Sequence, residues 1–141
     1  MVSGIEVIDD YIKIYNETKI DKKHRGFILK TNKVNNKDVL ELVEVLERDF
    51  KLEALPEKLP KDGCRFIVYD FEYETFENPP RNTAKLLLIM WVPDIAPTKE
   101  KVALTTTKNA IRGAFTGIQK DIQASDSSSI DPTELRKDFC N

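Results

Sequence analysis

The sequence predicts a single α/β domain in which a central mixed β-sheet is covered by helices on both faces. Two segments, residues 64–74 and 85–92, have apolar residues on both of their faces, which is typical of strands in the middle of a covered sheet. A long amphipathic segment follows them and predicts a helix that packs on the sheet. The 141 residues suffice for one ordinary domain with one hydrophobic core, so we expect a single domain over residues 1–141.

Two short helices are predicted near the ends of the chain. The first covers residues 9–17, where Ile8, Ile12 and Tyr15 form an apolar stripe at helical spacing. The last covers residues 132–139. With the long helix, these elements provide the helical layers of the predicted α/β architecture.

A hairpin is predicted between the first helix and the central strands. Residues 26–31 ("GFILKT") indicate a strand, and Asn35-Asn36 is a turn signal, so residues 39–46 are predicted to form the second strand. The pattern of residues 39–46 also fits a helix, and the sequence leaves this alternative open. Residues 50–59 predict a short helix bounded by prolines.

The long helix is predicted over residues 106–123, with the hydroxyl of Thr106 capping its first turn. Its apolar face is indicated by large residues at spacings of four, three and four, namely Ile111, Phe115, Ile118 and Ile122. Basic residues lie elsewhere on the helix and just before its start, so the pattern predicts a basic edge that runs from Lys99 to Arg112. From the pattern alone, this edge is either a solvated helix face or a binding surface.

The composition indicates a folded protein whose charge offers no general attraction to nucleic acid, because hydrophobic residues make up 40 %, charged residues 33 % and the net charge is −2. Cys64 and Cys140 form neither a disulfide framework nor a CxxC motif, so no metal or other cofactor is predicted and a reducing compartment is expected. The N-terminus does not fit a signal peptide, and the longest apolar stretch, residues 86–92, is about a third of a membrane helix. We therefore expect a cytoplasmic protein that does not insert into membranes.

Four segments, in the same order and spacing, resemble the ADF/cofilin (actin-depolymerising factor) family. "MVSGIEV" is similar to the family's short flexible start, which carries a phosphorylatable serine, and "CRFIVYDFEYET" is similar to its central strand. "WVPDIAPTKEKV" resembles the turn that leads into the actin-binding region, and "TTTKNAIRGAFTGIQKDIQASDSSSID" resembles the long helix and the landmarks after it. The resemblance covers nearly the whole chain.

The resemblance implies an ADF-homology fold with a flexible tail at about residues 1–6. It also implies a monomeric, non-enzymatic protein that binds actin monomers and filaments, prefers the ADP-bound form, and promotes filament severing, depolymerisation and turnover. Its expected location is the cytoplasm and the actin cytoskeleton, and the sequence leaves open whether it also enters the nucleus. Severing would follow from tighter binding to a twisted filament state than to the resting one.

The same resemblance implies which residues bind. The monomer-binding surface combines the tail, the turn before the long helix and that helix, namely Val2, Ser3, Gly4, Ile5, Lys99, Lys101, Lys108, Asn109 and Arg112. The filament-binding patch combines the loop before the second central strand and the last helix, namely Arg81, Lys85, Glu134, Arg136 and Lys137. Phosphorylation of Ser3 would add about −1.5 to −2 charge against an acidic partner surface and weaken binding.

Three departures from the family pattern reduce the expected filament activity. Gly113 stands where many relatives carry a second basic residue, and Asn109 replaces a common aspartate. Residues 77–83 contain a single basic residue, and the chain stops at Asn141, soon after the last helix begins. We therefore expect monomer binding to be intact and the filament patch to be reduced.

Two other functions are weighed against actin dynamics. The first is a regulatory module that keeps the fold, has weak filament activity and mainly binds monomers, a phosphoinositide or another protein. The second is a small hydrolase that uses Asp70, Glu72 and Glu74, which alternate along one predicted strand and so share a face. Neither a histidine nor a glycine-rich phosphate loop accompanies these carboxylates, so a solvated strand end is favoured and no enzymatic activity is expected.

Other conspicuous side chains receive structural interpretations. His24, the only histidine, is predicted to be an exposed loop residue. Its neighbours Lys22, Lys23 and Arg25 could form a nuclear-import or phosphoinositide cluster, although a solvated turn is favoured. Trp91 is predicted to pack in the core.

Overall fold

The computed structural model describes residues 9–35 and 37–140 and contains a five-stranded sheet in the order β2-β1-β3-β4-β5. The strands are β1 (His24–Val34), β2 (Lys37–Glu47), β3 (Arg65–Glu74), β4 (Asn82–Trp91) and β5 (Lys120–Ala124). The α-helices are α1 (Asp9–Lys19), α2 (Thr98–Ala114) and α3 (Pro132–Cys140), and two 3₁₀ helices cover Leu52–Lys58 and Ser127–Ile130. Neighbouring strands are antiparallel except β5, which runs parallel to β4, so the predicted mixed sheet is confirmed.

Both faces of the sheet are covered by helices, as predicted. Alternate residues of β3 point to opposite sides: Phe66 and Val68 pack with residues of α1 and α2, whereas Ile67 and Tyr69 pack with the 3₁₀ helices and α3. Each side therefore has its own apolar cluster, and the strand is buried from both sides over its first half. The prediction that Trp91 lies in the core is confirmed, since its exposed fraction is 6 %.

The hairpin is formed by β1 and β2, so residues 39–46 are a strand and the helical alternative is wrong. Asn35 adopts a left-handed conformation with φ of 50°, which asparagine tolerates in tight turns. The register shifts at Ile28 and Leu29, which pair with Glu44 and Leu42, so Val43 is the extra residue of a bulge. β2 is an edge strand of the sheet.

The boundaries predicted for the long helix are wrong, since α2 begins eight residues earlier and ends at Ala114. The helix starts directly after Pro97, whose fixed φ suits a helix start. Thr106 therefore lies inside the helix rather than at its cap, and its hydroxyl donates back to the carbonyl of Ala103 at 3.0 Å. The chain reverses at Gly117, whose φ of 99° is the conformation that favours glycine.

The residues that were predicted to complete the helix form β5 instead. Gln119 starts the strand pairing, because its backbone N–H donates to the carbonyl of Leu86 and its side-chain oxygen accepts from the N–H of Leu86. Ile118 is buried among residues of α1 and α2, whereas Ile122 packs on the other side of the sheet. Both residues still pack against apolar neighbours, but on opposite sides of the sheet rather than along one face of a helix.

The remaining helices agree with the sequence more closely. Helix α1 extends two residues beyond the predicted end and buries Tyr15, while Ile8 lies outside the described residues. Helix α3 confirms the prediction for residues 132–139, and the helix predicted at 50–59 is a 3₁₀ helix that contains Pro56. Within the described part of the chain, no helix has the length and apolar character needed to cross a membrane.

Candidate functional site

The outward face of α2 combines small side chains with basic ones. The helix buries Ala103, Leu104, Thr107 and Ile111 against the sheet. Its exposed residues are Thr98, Lys99, Val102, Thr105, Thr106, Asn109, Arg112 and Gly113. The hydroxyl of Thr105 donates to the carbonyl of Lys101 at 3.0 Å. The hydroxyl of Thr106 is shared between the carbonyls of Ala103 and Val102, at 3.0 and 3.2 Å, so both hydroxyls are already satisfied within the helix.

Two large apolar residues are exposed at the start of α2. Ile95, in the turn before the helix, is 72 % exposed, and Val102 is 57 % exposed. We call Ile95, the exposed residues of α2 and the half-buried Lys101 and Lys108 the α2 surface. Sequence reasoning missed both residues, because the helix was placed too late for Val102 to be assigned to a helix face. Pro97 was the signal that could have located the true start.

The first turn of α2 is held against the residue that precedes β3 and against the turn before the helix. The carboxylate of Glu100 accepts a hydrogen bond from the backbone N–H of Cys64 at 3.0 Å. The indole N–H of Trp91 donates to the carbonyl of Pro60 at 2.7 Å, and the ammonium of Lys101 donates to the carbonyl of Asp94 at 2.9 Å. Burial raises the pKa of the Cys64 thiol, which is consistent with a structural role. The exposed Ile95 thus extends from a braced turn.

The other end of α2 is braced by α1. The hydroxyl of Tyr15 and the ammonium of Lys19 both donate to the carbonyl of Thr116, at 2.5 and 2.9 Å. The ring of Tyr15 stacks on Phe115 with ring centres 4.8 Å apart. Burial raises the pKa of Tyr15 to about 12, so its hydroxyl stays protonated and can keep donating at physiological pH.

The basic residues predicted for monomer binding lie along α2, and the structure adds an acidic partner to two of them. Lys99 and Lys101 belong to the first turn of the helix, not to the segment before it. Lys108 lies 3.2 Å from a carboxylate oxygen of Asp121, and the guanidinium of Arg112 contacts its other oxygen. The predicted residues Lys99, Lys101, Lys108, Asn109 and Arg112 therefore share one helix, whereas Val2, Ser3, Gly4 and Ile5 lie outside the described residues.

The residues predicted for filament binding lie at the other end of the sheet. Strand β4 runs from Asn82 to Trp91, so Arg81 precedes one end while the turn of the α2 surface follows the other. The structure brings α3 against the segment after β3: Nε of Arg136 donates to the carbonyl of Glu74 at 2.5 Å, and its guanidinium lies 4.1 Å from the ring centre of Phe76. The predicted loop and helix therefore form one patch.

Most cations of this patch are already engaged within the chain. Arg81 forms an ion pair with Glu77 at 3.0 Å, and Lys137 lies 3.7 Å from Glu134. All four of these side chains are more than half exposed, so the pairs contribute little and can be exchanged for contacts with a partner. Lys85, within β4, is half-buried.

The prediction of a solvated strand end is wrong for Asp70. Its side chain is 1 % exposed and contacts the ammonium of Lys22 and the guanidinium of Arg48, each at 2.9 Å. Glu72 is half exposed and pairs with Arg25 at 2.6 Å and with Arg48 at 2.9 Å. The hydrogen bond from Arg25 lowers the pKa of Glu72. These carboxylates join β2, β3 and the turn before β1.

The interpretation of His24 as an exposed loop residue is also wrong. His24 opens β1, is partly buried, and lies 3.3 Å from a carboxylate oxygen of Glu17, whose pKa the contact lowers. Lys23 lies 3.6 Å from the same carboxylate group. Because Lys22 and Arg25 pair with Asp70 and Glu72, the predicted basic cluster is made of residues with internal partners.

The chief alternative site is a groove on the opposite side of the sheet. It has a volume of about 810 Å³ and lies between the first 3₁₀ helix and α3, with Tyr69, Phe71 and Tyr73 among its lining residues. Its lining carries charges of both signs, so it shows no clear preference for a ligand charge. Among residues 9–35 and 37–140, no group of three or more histidine, cysteine or acidic side chains is arranged to hold a metal ion.

Comparisons with known proteins agree on one family. A model of the family described as cofilin/tropomyosin-type actin-binding protein matches residues 4–140. The chain is 36 % identical over 132 residues to actophorin from Acanthamoeba castellanii, which covers 92 % of this chain and 90 % of that relative. It is 36 % identical over 128 residues to cofilin from Schizosaccharomyces pombe, with 91 % and 89 % covered. The crystal structure of a cofilin from Streptomyces griseoflavus superimposes with a TM-score of 0.81 at 29 % identity, covering 95 % of this chain and 96 % of that one.

Proposed function

Because the chain belongs to the family of cofilin/tropomyosin-type actin-binding proteins, we propose that it binds actin monomers through the α2 surface. The tail residues Val2, Ser3, Gly4 and Ile5 complete the proposed surface. The function is one of recognition in the cytoplasm and requires no covalent chemistry. Actin is the partner, and the protein acts as a monomer.

The observation that carries this proposal is the pair of exposed apolar residues beside the basic helix. Val102 and Ile95 expose apolar area to water in the free protein. Covering apolar area with a partner is favourable by about 25 cal/mol per Å². The small residues around them, Thr105 and Thr106, allow the helix to approach a partner closely. An exposed helix of this kind suits a hydrophobic groove with an acidic rim, which is helix-in-groove recognition.

The basic residues supply orientation in this proposal. Lys99 at one end of the helix and Arg112 at the other are both exposed. Charges at the rim of an interface mainly raise the association rate and reject wrong orientations, rather than supply affinity. Binding should therefore weaken with salt, while the apolar contacts of Val102 and Ile95 persist.

Filament binding, severing and depolymerisation form the second part of the proposal. The patch of Arg81, Lys85, Glu134, Arg136 and Lys137 lies at the opposite end of the sheet from the α2 surface, so one molecule can contact two actin subunits at once. If the molecule binds a twisted filament better than the resting one, it shifts the filament toward that state and weakens subunit contacts.

A specific observation favours the alternative of a monomer binder with weak filament activity. Arg81 and Lys137 pair with Glu77 and Glu134, and Arg136 contacts Glu74 and Phe76 within the same chain. A partner must compete with these internal contacts. Gly113 further leaves the helix without a second basic residue beside Arg112. A phosphoinositide or another protein has less support, because Lys22 and Arg25 of the proposed cluster pair with carboxylates.

Phosphorylation of Ser3 is the proposed switch. A phosphate would bring about −1.5 to −2 charge to a tail that meets an acidic surface of actin, and it would be both repelled and desolvated. The phosphorylated protein would then be released from actin into the cytoplasm. Ser3→Glu should weaken monomer binding, and an unchanged affinity would remove Ser3 from the interface.

Monomer affinity measured on matched variants tests the proposal. Lys108→Ala combined with Arg112→Ala should slow association with ADP-actin monomers and thereby weaken binding about tenfold, with a smaller effect expected on ATP-actin. The control, Lys51→Ala combined with Lys58→Ala, removes the same charge at the 3₁₀ helix on the opposite face of the sheet and should bind normally. No binding by the unmodified protein to either form would contradict the proposal.

Pelleting with filaments separates the two candidate functions. If the protein pellets with filaments and shortens them, and Arg81→Ala combined with Arg136→Ala abolishes both effects, severing through the patch is supported. Monomer binding without filament shortening would instead support the regulatory module.

A further inference from the structure

Asp121 supplies a single carboxylate that two proposed actin-binding cations share. One of its oxygens lies 3.2 Å from the ammonium of Lys108, and the other contacts the guanidinium of Arg112. Asp121 belongs to β5, the strand at the edge of the sheet beside the helix, and it pairs with Leu88 through the backbone. The contact therefore joins the α2 surface to a separate element.

The shared carboxylate halves the local charge that a partner meets. Lys108 and Arg112 would present two positive charges, and Asp121 reduces their sum to one. Salt bridges among residues 9–35 and 37–140 give Lys108 and Arg112 no carboxylate other than that of Asp121. The neutralisation consequently falls on the middle and the end of the α2 surface rather than on its start.

The geometry also allows the contact to open. The exposed fractions of the side chains are 34 % for Lys108, 39 % for Arg112 and 25 % for Asp121, so water reaches all three. Pairs of this kind contribute little to folding and exchange readily for other partners. Strand β5 is joined to β4 by backbone pairing and by the side chain of Gln119, and these contacts remain when the carboxylate of Asp121 is removed.

We propose that Asp121 is an intramolecular counter-charge that lowers the affinity of the α2 surface for actin. This inference rests on the proposed function, since it takes actin to be the acidic partner. Carboxylates of the partner must compete with Asp121 for Lys108 and Arg112. Asp121 thereby makes the interaction weaker and slower to form than the two cations alone would make it.

Asp121→Asn tests this directly, because the amide keeps the size of the side chain and removes its charge. At low salt we expect its association rate with fluorescently labelled, non-polymerisable actin monomers to rise about two- to threefold, and its affinity to rise with it. The difference should shrink at high salt, where the Debye length falls from about 10 Å at 0.1 M to about 3 Å at 1 M.

Asp49→Asn is the matched control. It removes the same charge from an exposed residue that follows β2, at the opposite edge of the sheet from β5. Its association rate should stay close to that of the unmodified protein. If Asp121→Asn matches this control, or binds more weakly, the inference is overturned while the proposed function stands.

A double-mutant comparison shows whether Asp121 acts through its two partners. In a protein that already carries Lys108→Ala and Arg112→Ala, Asp121→Asn should change the association rate no more than Asp49→Asn does. An equal gain in both backgrounds would overturn the inference, because the carboxylate would then act independently of these cations. Failure of the unmodified protein to bind actin would overturn the proposed function itself, and the inference with it.

Discussion

Gly26 pairs with Tyr69 of β3, and it shows how a single residue can be required by the fold. A Cβ atom at this position would lie 2.2 Å from the carbonyl oxygen of Val68, a distance that forces the backbone to move. Gly113 is the opposite case, since a Cβ there would have no neighbour within 4 Å. The sequence does not distinguish these two glycines, because the difference depends on a strand about 40 residues away.

Gly26→Ala should destabilise the protein by about 1–3 kcal/mol, because the backbone pairing of β1 with β3 must shift to admit the methyl group. Gly113→Ala, in an exposed helical position, should stabilise it by about 0.5–1 kcal/mol. Urea unfolding of both variants measures these free energies. Equal stability of the two variants would show that the close approach at Gly26 does not constrain the fold.

The burial of Asp70 could not be predicted from the sequence, because it also depends on residues that are distant in the chain. Its alternation with Glu72 correctly indicated a shared face, and Arg48 contacts both carboxylates. The sequence could not show that Arg48 and Lys22 arrive from other elements and enclose Asp70. A charged residue is buried only where such partners meet it, and their meeting is a property of the tertiary structure.

Glu72 should give the stability of the protein a measurable acid dependence. Its pKa is lowered from the ordinary 4.5 by the hydrogen bond from Arg25. Because this pKa is lower in the folded state, the ionised carboxylate stabilises the fold fully above pH 4.5. That contribution is lost as the pH falls through the pKa of Glu72 in the folded protein. Glu72→Gln should cost up to about 1 kcal/mol at neutral pH, the range of exposed ion pairs, and flatten the loss of stability in acid. Thermal unfolding of the unmodified protein and of Glu72→Gln, between neutral pH and pH 3, measures this effect. If the two melting temperatures fall in parallel with pH, Glu72 is not a source of the acid dependence.

At the scale of the elements, the strands were easier to predict than the ends of the long helix. Strands β3 and β4 are apolar on both faces, a pattern with few alternative interpretations. The apolar spacing from Ile111 to Phe115 continued by coincidence into Ile118 and Ile122, which a helix and a turn followed by a strand bury equally well. Local signals at Pro97 and Gly117 mark the true ends more reliably than the spacing does.

Helix α2 offers an element-scale test of how charge affects the α2 surface. Gly113→Arg adds a positive charge next to Arg112 in open space, and it replaces a poor helix former. We expect tighter binding to actin monomers, by about two- to threefold at low salt, with unchanged or slightly raised thermal stability. Gly113→Gln controls for the gain in helix propensity without charge. Equal affinities of the two variants would show that the helix end does not contact an acidic surface.

At the scale of the whole molecule, the sheet separates two surfaces. The α2 surface lies beyond the end of β4 and along one face, while the patch of Arg81 and Arg136 lies beyond the start of that strand. Motifs in the sequence predicted the fold and the family, and the family pattern supplied the basic residues that are proposed for both surfaces. They could not indicate the exposed Ile95 and Val102, or that Asp121 pairs with the basic residues, because those features depend on where the chain reverses after α2.

The most direct test of the central claim, that actin binds at the α2 surface, is the affinity of Val102→Asp for ADP-actin monomers. Val102 is 57 % exposed, so the substitution should leave the fold intact, which the thermal unfolding curve checks. We expect the affinity to fall at least about tenfold, because the carboxylate would be buried against an apolar and acidic partner. The control is Val43→Asp on the edge strand β2, which is 43 % exposed and lies away from α2, and it should bind normally. Normal affinity of a folded Val102→Asp variant would show that actin does not bind at the α2 surface.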